Sequence, residues 1–202
     1  MELLAGVLDR AGASASQVTA AGWVAGVGAC VAAGAAAWGV ALGLWLANRV
    51  ADGIDGALAR RQGPTDLGGL FDVVADFSIY SGFLVGVAVA LPDARLAAVS
   101  LLCAYYVSGT ALLATSSLLE RRRISHPDGR SLHLVGGLAE GTETILVYVA
   151  VCLFPGQVTP ILWTFTAAVS VTVAQRVLFA GRMLRAPPDR EGSFPVANRI
   201  SG

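Results

Sequence analysis

From Ala11 through Asn48 the chain carries no charged side chain and no histidine. As one helix, at about 1.5 Å per residue, that run would be about 57 Å long, whereas the hydrocarbon core of a bilayer is about 30 Å thick. The run must therefore fold back on itself as two membrane spans, with a tight turn expected near Gly34. No Pro or Asn marks the turn, so only length places it. Composition agrees with this reading: 202 residues, 55% hydrophobic and 14% charged, with a mean hydropathy of +0.66, describe one membrane-embedded domain. A formal net charge of zero speaks against a nucleic-acid partner.

The expected fold is all-α, a polytopic membrane protein with six transmembrane helices at roughly 17–33, 36–60, 67–91, 96–118, 132–153 and 158–184. Pro92-Asp93 and Pro155-Gly156 mark two of the turns. In this arrangement Arg10, Arg60, Arg61, Arg121, Arg122, Arg123, Arg130, Arg182, Arg185, Arg190 and Arg199 fall on one side. Only Arg95 falls on the other, while Arg49 and Arg176 lie inside spans. The positive-inside rule then places both termini at the cytoplasmic face, and the expected location is a bacterial inner membrane. A single span over the charge-free run would destroy this asymmetry, so parity supports six.

The first sixteen residues lack the basic start of a signal peptide, and Leu3, Leu4, Val7 and Leu8 recur at helical spacing. They are expected to form a short amphipathic helix on the membrane surface, or else a frayed terminus. The membrane domain is expected over 1–185, with 186–202 as a flexible cytoplasmic tail. Gly22/Gly26 and Gly39/Gly43 are spaced for close helix contact, although general Ala/Gly-rich packing explains them as well. Cys30, Cys103 and Cys152 follow no metal or redox spacing and are expected to be buried free thiols.

Against this apolar background four aspartates stand out. Asp52, Asp55, Asp72 and Asp76 interrupt the segment DGIDGALARRQGPTDLGGLFDVVAD. A carboxylate at bilayer depth costs about 2.5–3.5 kcal/mol on insertion scales, so such residues usually face a cavity and act there. Spacings of three and four put each pair on one helix face. Two helices joined by a short loop can aim both pairs at one point, where four hard oxygen donors suit magnesium or manganese, in a site for two ions. Asp66, in the loop, fits a helix N-cap or a solvated charge better than a ligand.

Reading from Asp52, the order D-x-x-D-G-x-x-A-R, seven residues, then G-x-x-x-D-x-x-x-D closely resembles the CDP-alcohol phosphotransferase signature of integral-membrane phospholipid synthesis enzymes. Gly56, Ala59, Arg60 and Gly68 occupy its other fixed positions. The resemblance implies transfer of a substituted phosphate from a CDP-linked donor, CDP-diacylglycerol foremost, to an alcohol with release of CMP. It implies that Asp52, Asp55 and Asp72 hold metal and that Asp76 is the general base, with possible contact to the second ion. The nucleotide is expected along Gly56, Ala59 and Gly68, where missing side chains open space, with Arg60 near the diphosphate. Arg60 and Arg61 also read as positive-inside anchors. A homodimer among membrane lipids is implied as well.

The acceptor is less legible. Arg121, Arg122, Arg123 and Arg130 suit a phosphorylated alcohol, but a juxtamembrane Arg run is ordinarily an anchor for anionic lipid. Glu140 and Glu143, inside the fifth expected span, suit a cationic amino-alcohol, or else bridges to Arg49, Arg176 or His133. The latter pair keeps a choline- or ethanolamine-type phosphotransferase in view as an alternative. Two other classes remain: a divalent-cation transporter, which should carry polar groups through the whole membrane, and an inactive structural relative, which an intact motif argues against.

Overall fold

The computed structural model describes residues 1–121 and 141–185. Its described residues are helical and include no strand: α1 (Glu2–Arg10), α2 (Ala15–Gly34), α3 (Trp38–Gln62), α4 (Asp66–Ala90), α5 (Arg95–Arg121), α6 (Gly141–Leu153) and α7 (Val158–Arg185). Short 3₁₀ turns at Pro92–Ala94 and Pro155–Gln157 open α5 and α7, as the two proline signals predict. The 186–202 segment, Arg122, Arg123, Arg130, His133 and Glu140 lie outside the described residues, as do the side chains of Glu120 and Arg121.

Each helix begins and ends for a local reason. Ser14 accepts a bond from the Gln17 amide while the Gln17 side chain accepts from the Ser14 amide, so a capping box starts α2. Thr65 caps α4 by accepting from Gly68 N at 3.1 Å. Asp66 is thus the first helical residue and not the cap, a place where its charge still meets the positive end of the helix.

The turn expected near Gly34 falls at Ala35–Ala37. Ala37 N bonds Ala32 O at 2.9 Å and Ala36 N bonds Ala33 O at 3.0 Å, a Schellman closure that puts Ala36 at a φ of 55°.

Among the described residues, four helices are long and apolar enough to cross a membrane: Ala15–Gly34, Asp66–Ala90, Pro92–Leu118 and Pro155–Arg185. The second expected span corresponds to α3, which carries Arg49, Asp52, Asp55, Arg60 and Arg61, and the fifth to α6, described from Gly141 only. Val24, Val31, Val85, Val89, Leu96, Leu146 and Leu178 are exposed on the outer faces, as lipid contact requires.

Helix α2 packs on α3 and α4, α5 on α4 and α7, and α6 on α3 and α7. The α2 seams depend on glycine. A Cβ on Gly86 of α4 would stand 2.5 Å from Cys30 O, and one on Gly26 would stand 2.7 Å from Ile79. Gly22 is equally tight against Ala51, whereas Gly39 and Gly43 meet nothing within 4 Å. Only the first of the two expected glycine pairs is a contact, because the second faces outward. At the centre Trp45, Phe83 and Tyr148 are fully buried with Tyr80 against them, and the Tyr148 hydroxyl donates to Tyr80 O at 2.7 Å. Cys152 is buried and Cys30 half-buried, but Cys103 is exposed on the outer face of α5, against the expectation for it.

Helix α1 lies across the end of α3. Glu2 reaches Arg60 at 3.5 Å and Arg61 at 3.8 Å, and Asp9 reaches Arg61 at 3.7 Å. Gln62 donates to Asp9 at 3.0 Å and to Ala13 O at 2.9 Å. Beneath them Ala5 of α1 and Ala57 and Leu58 of α3 form a small separate core.

Candidate metal centre

The short α3–α4 connection, Gly63 to Thr65, lets the two aspartate-bearing helices, each packed on α2, face one another. One carboxylate oxygen from each of Asp52, Asp55 and Asp72 lies within 4.8 Å of the other two. Asp55 is buried, and the Asp52 side chain is about one-third exposed. Nothing apolar offsets such a gathering of anions, whereas a hard divalent cation with oxygen ligands does. The donor set therefore fits magnesium or manganese.

Beside the carboxylates opens a cavity of about 770 Å³. Gly56 and Ala59 of α3 and Gly68 of α4 line it together with Asp55 and Asp72. Gly56 without a side chain and Ala59 with only a methyl help keep the space free, whereas a Cβ on Gly68 would meet Thr65 Oγ1 at 3.0 Å. Arg60 does not line the cavity wall, but its Nη1 lies 3.7 Å from where a Gly56 Cβ would stand. Its side chain is well exposed and turned toward Glu2. Arg61 faces α1.

Asp76 is a neighbour of this group but is not one of the three whose oxygens gather within 4.8 Å. Its Oδ1 accepts from Arg49 Nη2 at 2.7 Å. Arg49, one turn before Asp52 on the same face of α3, also approaches Asp52 at 3.8 Å. Arg49, an expected bridge partner of Glu140 or Glu143, pairs among the described residues with Asp76 and Asp52 of the signature, while Glu140 lies outside them. Arg176 donates to Ser108 at 3.1 Å, bridging α7 to α5. Glu143 is half-buried at the start of α6.

Two parts of this site were not singled out from the sequence. A further wall of the cavity is the start of α2, where Ser14, Ser16, Thr19 and Trp23 line the opening and Trp23 Nε1 donates to Ser78 at 2.9 Å. These residues carry no signature, and only the fold brings them near. The Arg49–Asp76 pair had a signal, since Arg49 is three residues from Asp52, but its partner lies on another helix.

An all-helical membrane protein with three carboxylates gathered beside a glycine-lined cavity is the architecture of an enzyme acting on phosphate at the membrane. The chain belongs to the CDP-alcohol phosphatidyltransferase family, whose model matches residues 13–180, and is thus a transferase of substituted phosphate groups in phospholipid synthesis. It is 38% identical over 174 residues to the inner membrane protein YnjF of Escherichia coli K12, covering 85% of this chain and 84% of that one. Its fold is similar to that of the phosphatidylinositol phosphate synthase of Mycobacterium tuberculosis. The structure of that enzyme with CDP-DAG bound superposes with a TM-score of 0.74 at 19% identity, covering 89% of this chain and 92% of that one. The structure with manganese and citrate gives 0.74 at 20% identity, covering 88% and 87%. Neither the transporter nor the aminoalcohol reading is favoured by these comparisons.

Proposed function

We propose that this protein transfers a phosphatidyl group from CDP-diacylglycerol to an alcohol and releases CMP. The observation that carries the reading is the convergence of Asp52, Asp55 and Asp72 within 4.8 Å beside a cavity with a glycine-rich wall. Asp52, Asp55 and Asp72 would hold magnesium or manganese, two ions by the pattern of the signature. Such ions would neutralise the diphosphate and polarise its phosphorus–oxygen bonds. The Mycobacterium enzyme, bound in separate structures to CDP-DAG and to manganese, supports both the donor class and the metal.

The residues of the chain divide the remaining work. Gly56, Ala59 and Gly68 leave room for the nucleotide, and Arg60, swinging from Glu2, offers its planar fork to the phosphates. Asp76 takes the proton of the acceptor hydroxyl as the new oxygen–phosphorus bond forms and the bond to CMP breaks. Arg121, Arg122, Arg123 and Arg130 would then serve a phosphorylated acceptor or anchor anionic lipid, while Glu140 and Glu143 would favour a cationic one. The acceptor is therefore assigned only as an alcohol.

In this reading α3 and α6 also cross the bilayer, giving six spans with both termini and the site at the cytoplasmic face. Helix α1 rests on that surface, and the protein works as a homodimer. Cysteine-accessibility labelling should place residue 93 opposite the two termini; finding them on one side would end the six-span model.

The activity itself is tested with purified protein, CDP-diacylglycerol and a panel of alcohols. CMP release that needs magnesium or manganese and stops with chelator is expected. Metal-independent release, or none with any acceptor, would refute the reading.

A further inference from the structure

The Arg49 side chain is only 7% exposed. Neutral groups from two helices hold it. Its Nε and Nη2 both donate to Asn48 Oδ1, at 2.9 and 2.6 Å. Asn48 is itself buried and oriented by a third helix, since its Nδ2 donates to Gly22 O at 2.9 Å. The Tyr80 hydroxyl accepts from Nη1 at 2.7 Å, and the guanidinium carbon lies 5.0 Å from the Trp45 ring centre and 5.1 Å from that of Tyr80. A planar cation stacked and bonded in this way has one place to be, whatever its carboxylate partner does.

The fixed cation touches one signature carboxylate closely, Asp76 at 2.7 Å, and a second remotely, Asp52 at 3.8 Å. Asp76 is not among the three carboxylates whose oxygens gather within 4.8 Å of one another, and it is the one that Arg49 holds most closely. We infer that Arg49 is a positioning residue that withholds Asp76 from the metal shell and keeps it for the acceptor hydroxyl. A guanidinium 3.8 Å from Asp52 also opposes cation binding there by like-charge repulsion. Metal affinity and turnover then pull in opposite directions at this one residue. The inference rests on the proposed metal-dependent transfer and adds to it the residue that keeps the fourth carboxylate out of the metal-holding group.

The test counts bound Mn²⁺ by electron paramagnetic resonance on the full chain in detergent, without donor, and measures CMP release on the same preparations. Asp72→Asn should weaken Mn²⁺ binding at least about tenfold, and Asp76→Asn by no more than about threefold. Arg49→Gln should bind Mn²⁺ about tenfold more tightly yet turn over at least about tenfold more slowly, with the donor KM nearly unchanged. Arg49→Lys, which keeps the charge, should hold Mn²⁺ affinity near that of the natural chain and recover part of the rate. Tyr80→Phe removes one holder of the guanidinium without touching a charge, and should lower kcat several-fold at constant Mn²⁺ affinity. It covers the case in which Arg49→Gln does not fold.

Tighter metal with slower turnover is a combination that general damage does not produce. Equal or weaker Mn²⁺ binding in folded Arg49→Gln, or loss in Asp76→Asn equal to that in Asp72→Asn, overturns the inference alone. A natural chain that neither binds Mn²⁺ nor releases CMP overturns the proposed function along with it.

Discussion

The α3–α4 hairpin and the α5–α7 pair are helix pairs of similar length built from opposite materials. The hairpin carries Arg49, Asp52, Asp55, Asp72 and Asp76 between its helices. The packed α5–α7 pair contributes Ala97, Ala98, Leu101, Leu162, Phe165 and Val169 to the apolar core, and apart from Glu120 neither helix has an acidic residue in its sequence. One Arg176–Ser108 bond is its charged contact among the described residues. A stable helix pair in this protein thus needs no carboxylates. Those of the hairpin cost desolvation and mutual repulsion, and they are explained by chemistry and not by packing.

The largest expected effect would break that comparison from the hairpin side. Asp52→Asn or Asp72→Asn removes a charge from the group of three and should lower CMP release by at least about 10²–10³-fold, the scale of losing one electrostatic stabiliser of a transition state. In chelator the same variants should melt at a higher temperature than the natural chain, because repulsion is relieved. Near-normal turnover at saturating metal would remove the residue from the site. A lower melting temperature would make the carboxylate structural after all.

Next in size is the cavity wall. Leu at position 56 or 59 would project into the cavity, where overpacking costs about 1–3 kcal/mol, equivalent to roughly tenfold or more in donor affinity. Gly56→Leu and Ala59→Leu should therefore weaken binding of a CDP-diacylglycerol analogue at least about tenfold, with the melting temperature little changed. Unaltered binding in both would move the nucleotide to another face.

These expectations come almost directly from sequence, and their legibility has a physical basis. Spacing within a helix converts residue number into direction, so Asp52 with Asp55, Asp72 with Asp76 and the open faces at Gly56 and Ala59 could be read without coordinates. The order of the long apolar helices was legible for a similar reason, since length and hydropathy constrain helices in lipid. What depended on three helices meeting was not legible. Nothing in residues 14–23 announces that Thr19 and Trp23 wall the cavity, and nothing local tells Arg49 that its partner is Asp76. The glycine pairs illustrate the same limit: Gly22/Gly26 and Gly39/Gly43 have identical spacing, but only the fold decides which faces a neighbour.

That last contrast gives a smaller prediction. Gly86→Ala places a methyl against the Cys30 carbonyl at 2.5 Å, a backbone atom that cannot rotate away, and should destabilise by about 1–3 kcal/mol. Gly39→Ala meets open space and should be neutral or stabilising by up to about 1 kcal/mol through helix propensity. Thermal melting of both in one detergent tests the sign. Equal losses would mean that the outward face of α3 is covered by something the monomer lacks.

The smallest effect concerns the turn that joins α2 to α3, which sequence could place only by length. Glycine is the usual residue where a Schellman closure needs positive φ, because an L side chain there crowds the following carbonyl. This chain places Ala36 at that point, with φ at 55°, beside Ala35 at φ −85°. Relief of the Cβ crowding is worth about 1–2 kcal/mol, against which glycine loses roughly 0.5–1 kcal/mol of extra backbone entropy on folding. Ala36→Gly should therefore raise stability by a fraction of a kcal/mol to about 1 kcal/mol, while Ala35→Gly, at an ordinary φ, should lower it by about 0.5–1 kcal/mol. Opposite shifts in melting temperature for adjacent alanines would fix the turn at Ala36, because only the residue at positive φ gains from losing its Cβ. If both variants shift downward together, the closure lies elsewhere in the Gly34–Ala37 run, and the α2–α3 register must be redrawn around it.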